Sequence, residues 1–297
     1  MVTLISKDTK IVKKLEDALK ESTGDLLKRD FKAIAYEFLA EDRAVEQIEL
    51  FISEVNKFEK VDFTNKKLLE IGAGVGTMLV TARTKYNIDA FGVEPSKDEF
   101  SPFNEISLAL LKEYNLPKDI VISAVAEKLP FPDNSFDFIY STNVLEHVQS
   151  PKLVIEESIR VLKPGGFLQF VIPNYFSFWE GHYGIFWPCI TNRTLAKVYA
   201  KLIGQNPKYI DTLQLISPFS LKRVLGNMKN VKTLSWGKEV FKKRLTTGSY
   251  TDWASLQKIR PIISLVQKLK ISSLIANILN MFQMYTPIVV TVRKVSD

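Results

Sequence analysis

Three alternate glycines with an acid two residues ahead of them form the most chemically loaded stretch of the chain, Glu70-Ile71-Gly72-Ala73-Gly74-Val75-Gly76-Thr77. Glycines at 72, 74 and 76, with Ala73 between the first two, let a backbone turn tightly and bring its N–H groups close to a ligand. A dinucleotide turn needs G-x-G-x-x-G, and its last glycine would fall on Thr77, so a nicotinamide or flavin fingerprint fails there. A carboxylate at Glu70 suits an ammonium group, met directly or through water, whereas a pyrophosphate would be repelled. Glu94, some eighteen residues past Gly76, is placed to accept from both hydroxyls of a ribose. Pro95 and Ser96 follow it and belong to the same expected site. The proline-rich turn Ala126-Glu127-Lys128-Leu129-Pro130-Phe131-Pro132 flanks the base of that ligand by position, and Ser141 and Asn143 end the next apolar run.

The same residues resemble a known family. LLEIGAGVG (68–76), Glu94, AEKLPFPDNSFD (126–137), VLEHV (144–148) and RVLKPGGFL (160–168) match, in order and spacing, the ubiquinone/menaquinone-biosynthesis-like group of class I S-adenosylmethionine-dependent methyltransferases. The resemblance covers roughly residues 67–173 and implies S-adenosylmethionine as cofactor. It implies that Glu70, Gly72, Gly74 and Gly76 line the methionine end, that Glu94 holds the ribose, and that Ala126 and Glu127 lie near adenine. Val125 departs from the pattern, because many members carry an acid there for the adenine amino group. Lys163-Pro164-Gly165-Gly166 looks like the family's turn between a helix and the fifth strand.

Methyl transfer from a sulfonium asks the protein mainly to align donor and acceptor and to exclude water. An alcohol acceptor also benefits from a general base, and the chain has two histidines, His147 and His182. His182 is the expected base. It lies in an aromatic stretch, Asn174 to Gly184, just past the fifth strand, and Tyr175, Glu180, Tyr183 and Trp187 are expected to contact the acceptor. The alternative is that these aromatics only pack the segment onto the core. His147 is the second catalytic candidate and also reads as a helix-entry histidine with local partners. Some quinone-methylating relatives use an acid-x-x-Glu-His run for a divalent metal, but the first acid here is Asn143, so no metal is expected.

The elements that must position these residues follow from periodicity. LLEIG (68–72), AFGVE (90–94), IVISA (120–124), FDFIYS (136–141) and FLQFVIP (167–173) read as strands alternating with helices. VKTLSW (231–236) and PIVVTVRK (287–294) add two more after the helix-like SPFSLKRVLGNM (217–228). The fold class is therefore α/β, a doubly wound, mostly parallel seven-stranded sheet of Rossmann-like type, with helical cap insertions and, as the resemblance implies, an antiparallel last strand. The expected organisation is a helical segment over 1–66, a cofactor-binding core over 67–173, a cap over 174–216, core again over 217–236, a second cap over 237–286, and a final strand within 287–297. Both caps are rooted beside the site, which is why the fold cannot name the acceptor.

At 46% hydrophobic and 25% charged residues, the chain is of ordinary globular composition. The single Cys189 allows no intrachain disulfide, and the charged start MVTLISKDTK is unlike a signal peptide; together they point to the cytoplasm. Cys189, between Pro188 and Ile190, reads as a small buried hydrophobe. The net charge of +7 is concentrated in 237–270, where eight Lys/Arg meet two acids. Lys242, Lys243 and Arg244 within it are expected to recognise an anionic, phosphate-bearing acceptor such as a lipid-linked saccharide. A charge-free span, Ile271–Val292, carries a polar stripe (Ser273, Asn277, Asn280) and Pro287, which argue against a membrane span. It reads as an amphipathic helix whose Leu274, Ile275, Ile278, Leu279 and Phe282 cover the core or lie on a membrane surface. The acceptor is expected to be a small molecule or a glycan- or lipid-linked intermediate methylated on oxygen. Nucleic acid is the alternative, disfavoured because Ser141-Thr142-Asn143-Val144 is not the Asp/Asn-Pro-Pro-aromatic run of base methylation; a cofactor-binding module without catalysis is the third reading.

Overall fold

A computed structural model describes residues 3–6, 8–95, 101–249 and 254–296. Three helices come first: α1 (Thr9–Thr23), α2 (Phe31–Phe38) and α3 (Glu41–Asn56). Asp8 and Asp30 cap the first two through their carboxylates, which accept from Lys10 and Ala33 N–H. The strands β1 (Lys67–Ile71), β2 (Asp89–Glu94), β3 (Val121–Ser123), β4 (Phe136–Thr142) and β5 (Leu162–Ile172) alternate with α4 (Thr77–Tyr86), α5 (Ser101–Glu113) and α6 (Pro151–Val161). Next come the short hairpin β6 (Trp179–Glu180) and β7 (Ile185–Phe186), then α7 (Arg193–Leu202), α8 (Pro218–Gly226) and β8 (Val231–Ser235). The chain ends through α9 (Lys238–Thr247), α10 (Arg260–Lys268), α11 (Ser272–Met281) and β9 (Ile288–Lys294).

Seven strands form one sheet in the order β3-β2-β1-β4-β5-β9-β8. The first five pair in parallel, and β9 runs antiparallel to both β5 and β8. The chain winds outward from β1 to β3 and then crosses back to β4 on the other side of β1. That reversal leaves a crevice above the carboxyl ends of β1 and β4, where an open α/β sheet binds its ligand.

Spacing on the first helices explains where they sit. In α1, Ile11, Val12 and Leu15 fall on one face and pack with Ile106, Leu110 and Leu111 of α5. In α3, Ala44, Ile48, Phe51 and Val55 recur at 3/4 spacing and bury against Met78, Leu79 and Ala82 of α4 and Phe138 of β4. The N-terminal helices thus close one side of the sheet and bring residues 24–30 to the crevice, where Leu27 packs among Tyr175, Tyr183, Trp187 and Tyr209.

α11 corrects one expectation. It docks through Ser272, Ala276 and Asn280, all buried, and only Ile275 and Leu279 of its large apolar residues pack partly on the core. Leu274, Ile278 and Phe282 point outward. A helix apolar on more than one side has no unique inner face in its sequence, and the close approach of α9, permitted by the small Ala276 and held by Asn280 Nδ2 donating to the Lys238 carbonyl, decides it. No single described helix is long and apolar enough to cross a membrane.

Candidate active site

The glycine turn leaves β1 at the crevice. Glu70, the penultimate residue of β1, is buried, and its Oε2 has no hydrogen-bond partner. Burial, reinforced by the neighbouring Glu94, pushes its carboxyl well above the usual carboxylate range. An ammonium group brought beside that oxygen would supply the missing partner and restore the charged form. Gly72 and Gly76 are sites of close packing, because a Cβ at Gly72 would overlap Val144 and one at Gly76 would lie 2.6 Å from the Ser107 hydroxyl. All three glycines have positive φ (+75°, +53° and +81°), and Gly74 differs in that a Cβ there would project into open space. That space lies beside Glu94, which accepts from the Gly74 N–H.

Glu94 ends β2 and accepts from Gly74 N–H at 2.8 Å. Burial lifts its pKa to about 7 against the opposing effect of that bond. Ribose hydroxyls donate best to the ionised carboxylate, so cofactor affinity is expected to rise from about pH 6 to about pH 8 as Glu94 loses its proton. Glu94→Gln should flatten that pH dependence and weaken binding by about 1.5–3 kcal/mol, the size of a charge-assisted hydrogen bond. Isothermal titration with S-adenosylhomocysteine reads both effects.

Around the expected base-binding side, Ala126 is buried and Pro95 half-buried, while Ser96 lies outside the described residues. Val125 is exposed. The Glu127 carboxylate is turned away from the crevice, accepting from Gln149 and Ser150 N–H. The Glu127 side chain thus already has backbone partners, and the expectation that residues 126 and 127 lie near adenine rests on their place in the chain. Ser141 is also positioned otherwise than expected, since its buried hydroxyl donates to the Ile71 carbonyl at 3.0 Å and ties the ends of β4 and β1 together. Asn143, at φ +53°, turns the chain out of β4, its N–H donating to the Val171 carbonyl.

The turn after Asn143 carries the second half of the site. Val144 presses against Gly72, Glu146 is fully buried, and His147 N–H donates to the Val144 carbonyl. The His147 ring meets the His182 ring edge to face at 5.2 Å. Two histidines 35 positions apart in sequence thus meet beside the turn that packs on the glycine loop. His182 Nδ1 lies 2.6 Å from Glu180 Oε1, and the Glu180 carboxylate also accepts from His182 and Tyr183 N–H. Burial acts to raise the Glu180 pKa, but the His182 charge and these bonds outweigh it and hold the carboxyl below its usual range. Burial pulls His182 down, yet Glu180 and then Glu146 leave it above the ordinary 6.5. An ionised Glu180 can only accept, so Nδ1 carries the proton and Nε2 is the nitrogen left for chemistry.

Tyr175 and Tyr209 enclose this pair. The Tyr175 hydroxyl lies 3.4 Å from His182 Nδ1, and the Tyr209 ring lies 5.4 Å from the His182 ring. Trp187 does not reach the acceptor side: it is 1% exposed, and its indole N–H is spent on the Tyr175 and Ile190 carbonyls. Tyr183 is likewise committed, its hydroxyl donating to the Asn206 carbonyl. Both act as scaffold for the hairpin that holds Glu180, which corrects their assignment as acceptor contacts. Cys189 is half-buried at φ +55°, and burial pushes its thiol up, away from nucleophilic use.

Three residues escaped sequence reasoning. Glu146 has both carboxylate oxygens buried without a hydrogen-bond partner, His147 Nε2 lying 3.9 Å from its Oε1, and burial lifts its pKa to about 7. Arg29, half-buried and depressed in pKa by burial, stands within electrostatic reach of Glu180 and Tyr209. Tyr209 follows Pro207 in a short turn with no local mark of function. Only the VLEHV run signalled Glu146; Arg29 and Tyr209 carry no signal that a single sequence displays. One ligand atom each from Glu146, His147 and His182 lies within 4.8 Å of the others, so these three could hold a divalent cation, with the cap histidine standing where a run of adjacent residues offered only two donors. Arg244 corrects the basic-surface expectation: it is buried and its guanidinium lies 3.3 Å from Glu46. Lys243 alone of the trio Lys242, Lys243 and Arg244 is exposed, Lys242 being half-buried.

The Methyltransferase domain family model matches residues 69–170. An uncharacterized methyltransferase of Schizosaccharomyces pombe is 38% identical over 109 residues, 34% of this chain and 38% of its own length. Norajmaline N-methyltransferase of Rauvolfia serpentina is 34% identical over 100 residues, 34% of this chain and 33% of its own. The chain thus spans less than two fifths of the length of either relative. Among solved structures, Haemonchus contortus phosphoethanolamine N-methyltransferase 2, in complex with phosphomonomethylethanolamine and S-adenosylhomocysteine, superposes with a TM-score of 0.52 at 14% identity, over 95% of this chain and 61% of that one.

Proposed function

We propose that this chain, whose residues 69–170 match the Methyltransferase domain family model, is a class I S-adenosylmethionine-dependent methyltransferase that methylates a hydroxyl of an anionic, glycan- or lipid-linked acceptor, with His182 as general base. The observation that carries this reading is the buried Glu180–His182 pair at 2.6 Å, held against the turn that packs on the glycine loop. When bound, the sulfonium supplies the methyl group and departs as a neutral thioether, so no acid is required from the protein.

Glu70, Gly74 and Glu94 hold the cofactor. Glu180 fixes the imidazole tautomer and leaves Nε2 to take the hydroxyl proton of the acceptor. The tyrosines about His182 exclude water from that proton. His147, with its side chain 38% exposed and its pKa pushed down by crowding and then by the His182 charge, stays neutral and lines the entrance. Arg29 meets the anionic group of the acceptor, so that the N-terminal segment takes the role expected of the buried Arg244.

Arg29→Leu is expected to raise the acceptor KM by about 10- to 100-fold, the equivalent of a lost charged hydrogen bond, with S-adenosylmethionine affinity unchanged. The proposal as a whole is tested by incubating the protein and methyl-labelled cofactor with cell material separated into lipid, soluble glycan and nucleic-acid fractions. Label stable to mild base and confined to the lipid or glycan fraction supports an ether product. Label in nucleic acid, or in no fraction, defeats it.

A further inference from the structure

The outward faces of α10 and α11 form an apolar surface that the core leaves uncovered. On and just after α10, Ile262, Leu265 and Leu269 recur at helical spacing and are 62%, 55% and 59% exposed. On α11, Leu274, Ile278 and Met281 continue the surface at 60%, 44% and 66% exposed, and Phe282 follows at 56%. Large side chains face out while Ser272 and Ala276 face in, the reverse of the arrangement a water-facing helix takes. The two helices meet at a bend of 116°. Each has at most ten residues, about 15 Å of helix, which is half the thickness of a bilayer's hydrocarbon core. Neither helix alone is long enough to cross it, whereas each is long enough to lie in its interface.

Charge decides the partner. Residues 254–286 contain no acid, and Lys258, Arg260, Lys268 and Lys270, all exposed, stand beside the apolar side chains. Cations flanking an apolar helical face match the headgroup region of an anionic bilayer, where ammonium and guanidinium groups meet phosphates while the apolar side chains enter the acyl boundary. A second protein surface complementary to this one would have to be both apolar and acidic, and the described chain offers no such patch around the same helices.

We infer that the α10–α11 face docks on an anionic lipid surface. The docking face is tied to the acceptor side of the enzyme. α11 runs directly into residues 283–285, whose carbonyls accept from Asn174 Nδ2 (2.9 Å to Gln283, 2.6 Å to Tyr285) and Ser177 Oγ (2.8 Å to Met284). Residues 174–177 lead straight into the hairpin bearing Glu180 and His182. A bilayer bound at α10–α11 therefore sits at a fixed distance from the Glu180–His182 pair. The inference stands apart from the proposed acceptor, because lipid binding is measured with neither cofactor nor acceptor present.

The test is flotation of the full chain with phosphatidylcholine vesicles containing about one third phosphatidylglycerol, against phosphatidylcholine alone. Binding to the mixed vesicles is expected at low salt, weakened about tenfold or more by omitting the anionic lipid or by salt that screens the cations. The triple variant Leu265→Ser, Leu274→Ser, Ile278→Ser should lose binding by about tenfold or more while keeping the wild-type melting temperature and S-adenosylhomocysteine affinity, since these side chains are mostly exposed. Absence of binding by the wild type, or undiminished binding by the triple variant, overturns the inference. So does a wild-type dimer in lipid-free buffer that the triple variant abolishes, which would assign the face to a second copy of the chain.

Discussion

His182→Gln is expected to lower kcat on the acceptor by about 10²–10⁴-fold, the usual worth of a positioned general base, while S-adenosylmethionine affinity stays near wild type. Glutamine keeps a polar group near Glu180 but cannot take a proton. The wild-type pH profile carries the sign. His182 must be neutral to act, and the Glu180 and Glu146 carboxylates hold its pKa above 6.5, so kcat should climb with pH through an apparent pKa higher than that of free imidazole. Glu180→Gln removes the larger of the two raising charges. Its residual activity should rise at lower pH than wild type, with a smaller plateau, because the less basic imidazole drives proton transfer less well. A purely structural role for Glu180 would lower activity without moving the profile. Steady-state rates from about pH 5.5 to about pH 9, which span the imidazole titration, distinguish these outcomes, and an unchanged kcat in His182→Gln refutes the base assignment.

Gly74→Val should remove measurable cofactor binding, a loss of more than about 100-fold, and with it all activity. Two effects add. A side chain at φ +53° is strained by about 1–2 kcal/mol, and relief of that strain moves the N–H that Glu94 accepts from. The new methyl groups also enter the open space where the cofactor is proposed to lie. Because a Cβ at Gly74 meets no protein atom within 4 Å, the damage falls on binding more than on the packed fold. Gly76→Val provides the contrast: its Cβ would crowd the buried Ser107 hydroxyl at 2.6 Å, so the melting temperature should fall together with binding. Titration with S-adenosylhomocysteine and a thermal melt of both variants separate a ligand cradle from a packing site.

Local pattern makes much of this protein legible. The apolar run of β1, the glycines that follow it and the helical α4 lie within twenty residues of one another, and their geometry depends on neighbours in sequence. The strand at 288–294 and its antiparallel sense follow from pattern and resemblance, and the sheet order agrees. The residues proposed to hold the cofactor lie at or just past strand ends, so Glu70, Gly74 and Glu94 stand out as soon as the strands are placed.

Where sequence misleads, the missing information is which distant groups share a space. Trp187 and Tyr183 are aromatic whether they stack on a ligand or fill a core, and only the carbonyls of Tyr175, Ile190 and Asn206, each accepting from one of them, show that their polar groups are already used. The inner face of α11 is ambiguous in sequence because its apolar residues surround most of the helix; its seating depends on α9, more than thirty residues away. Arg29 comes within electrostatic reach of Glu180 from about 150 residues earlier in the chain, its neighbour Leu27 packing among Tyr175, Tyr183 and Tyr209. The sequence by itself determined the strands and the glycine turn, because these arise from periodicity and short-range backbone geometry, and the cofactor class followed from the resemblance that the same motifs carry. Tertiary structure alone decided that Glu146, His147, Glu180 and His182 lie together with Arg29 in electrostatic reach, because proton affinity and burial are set by whatever the fold brings near, at any separation along the chain.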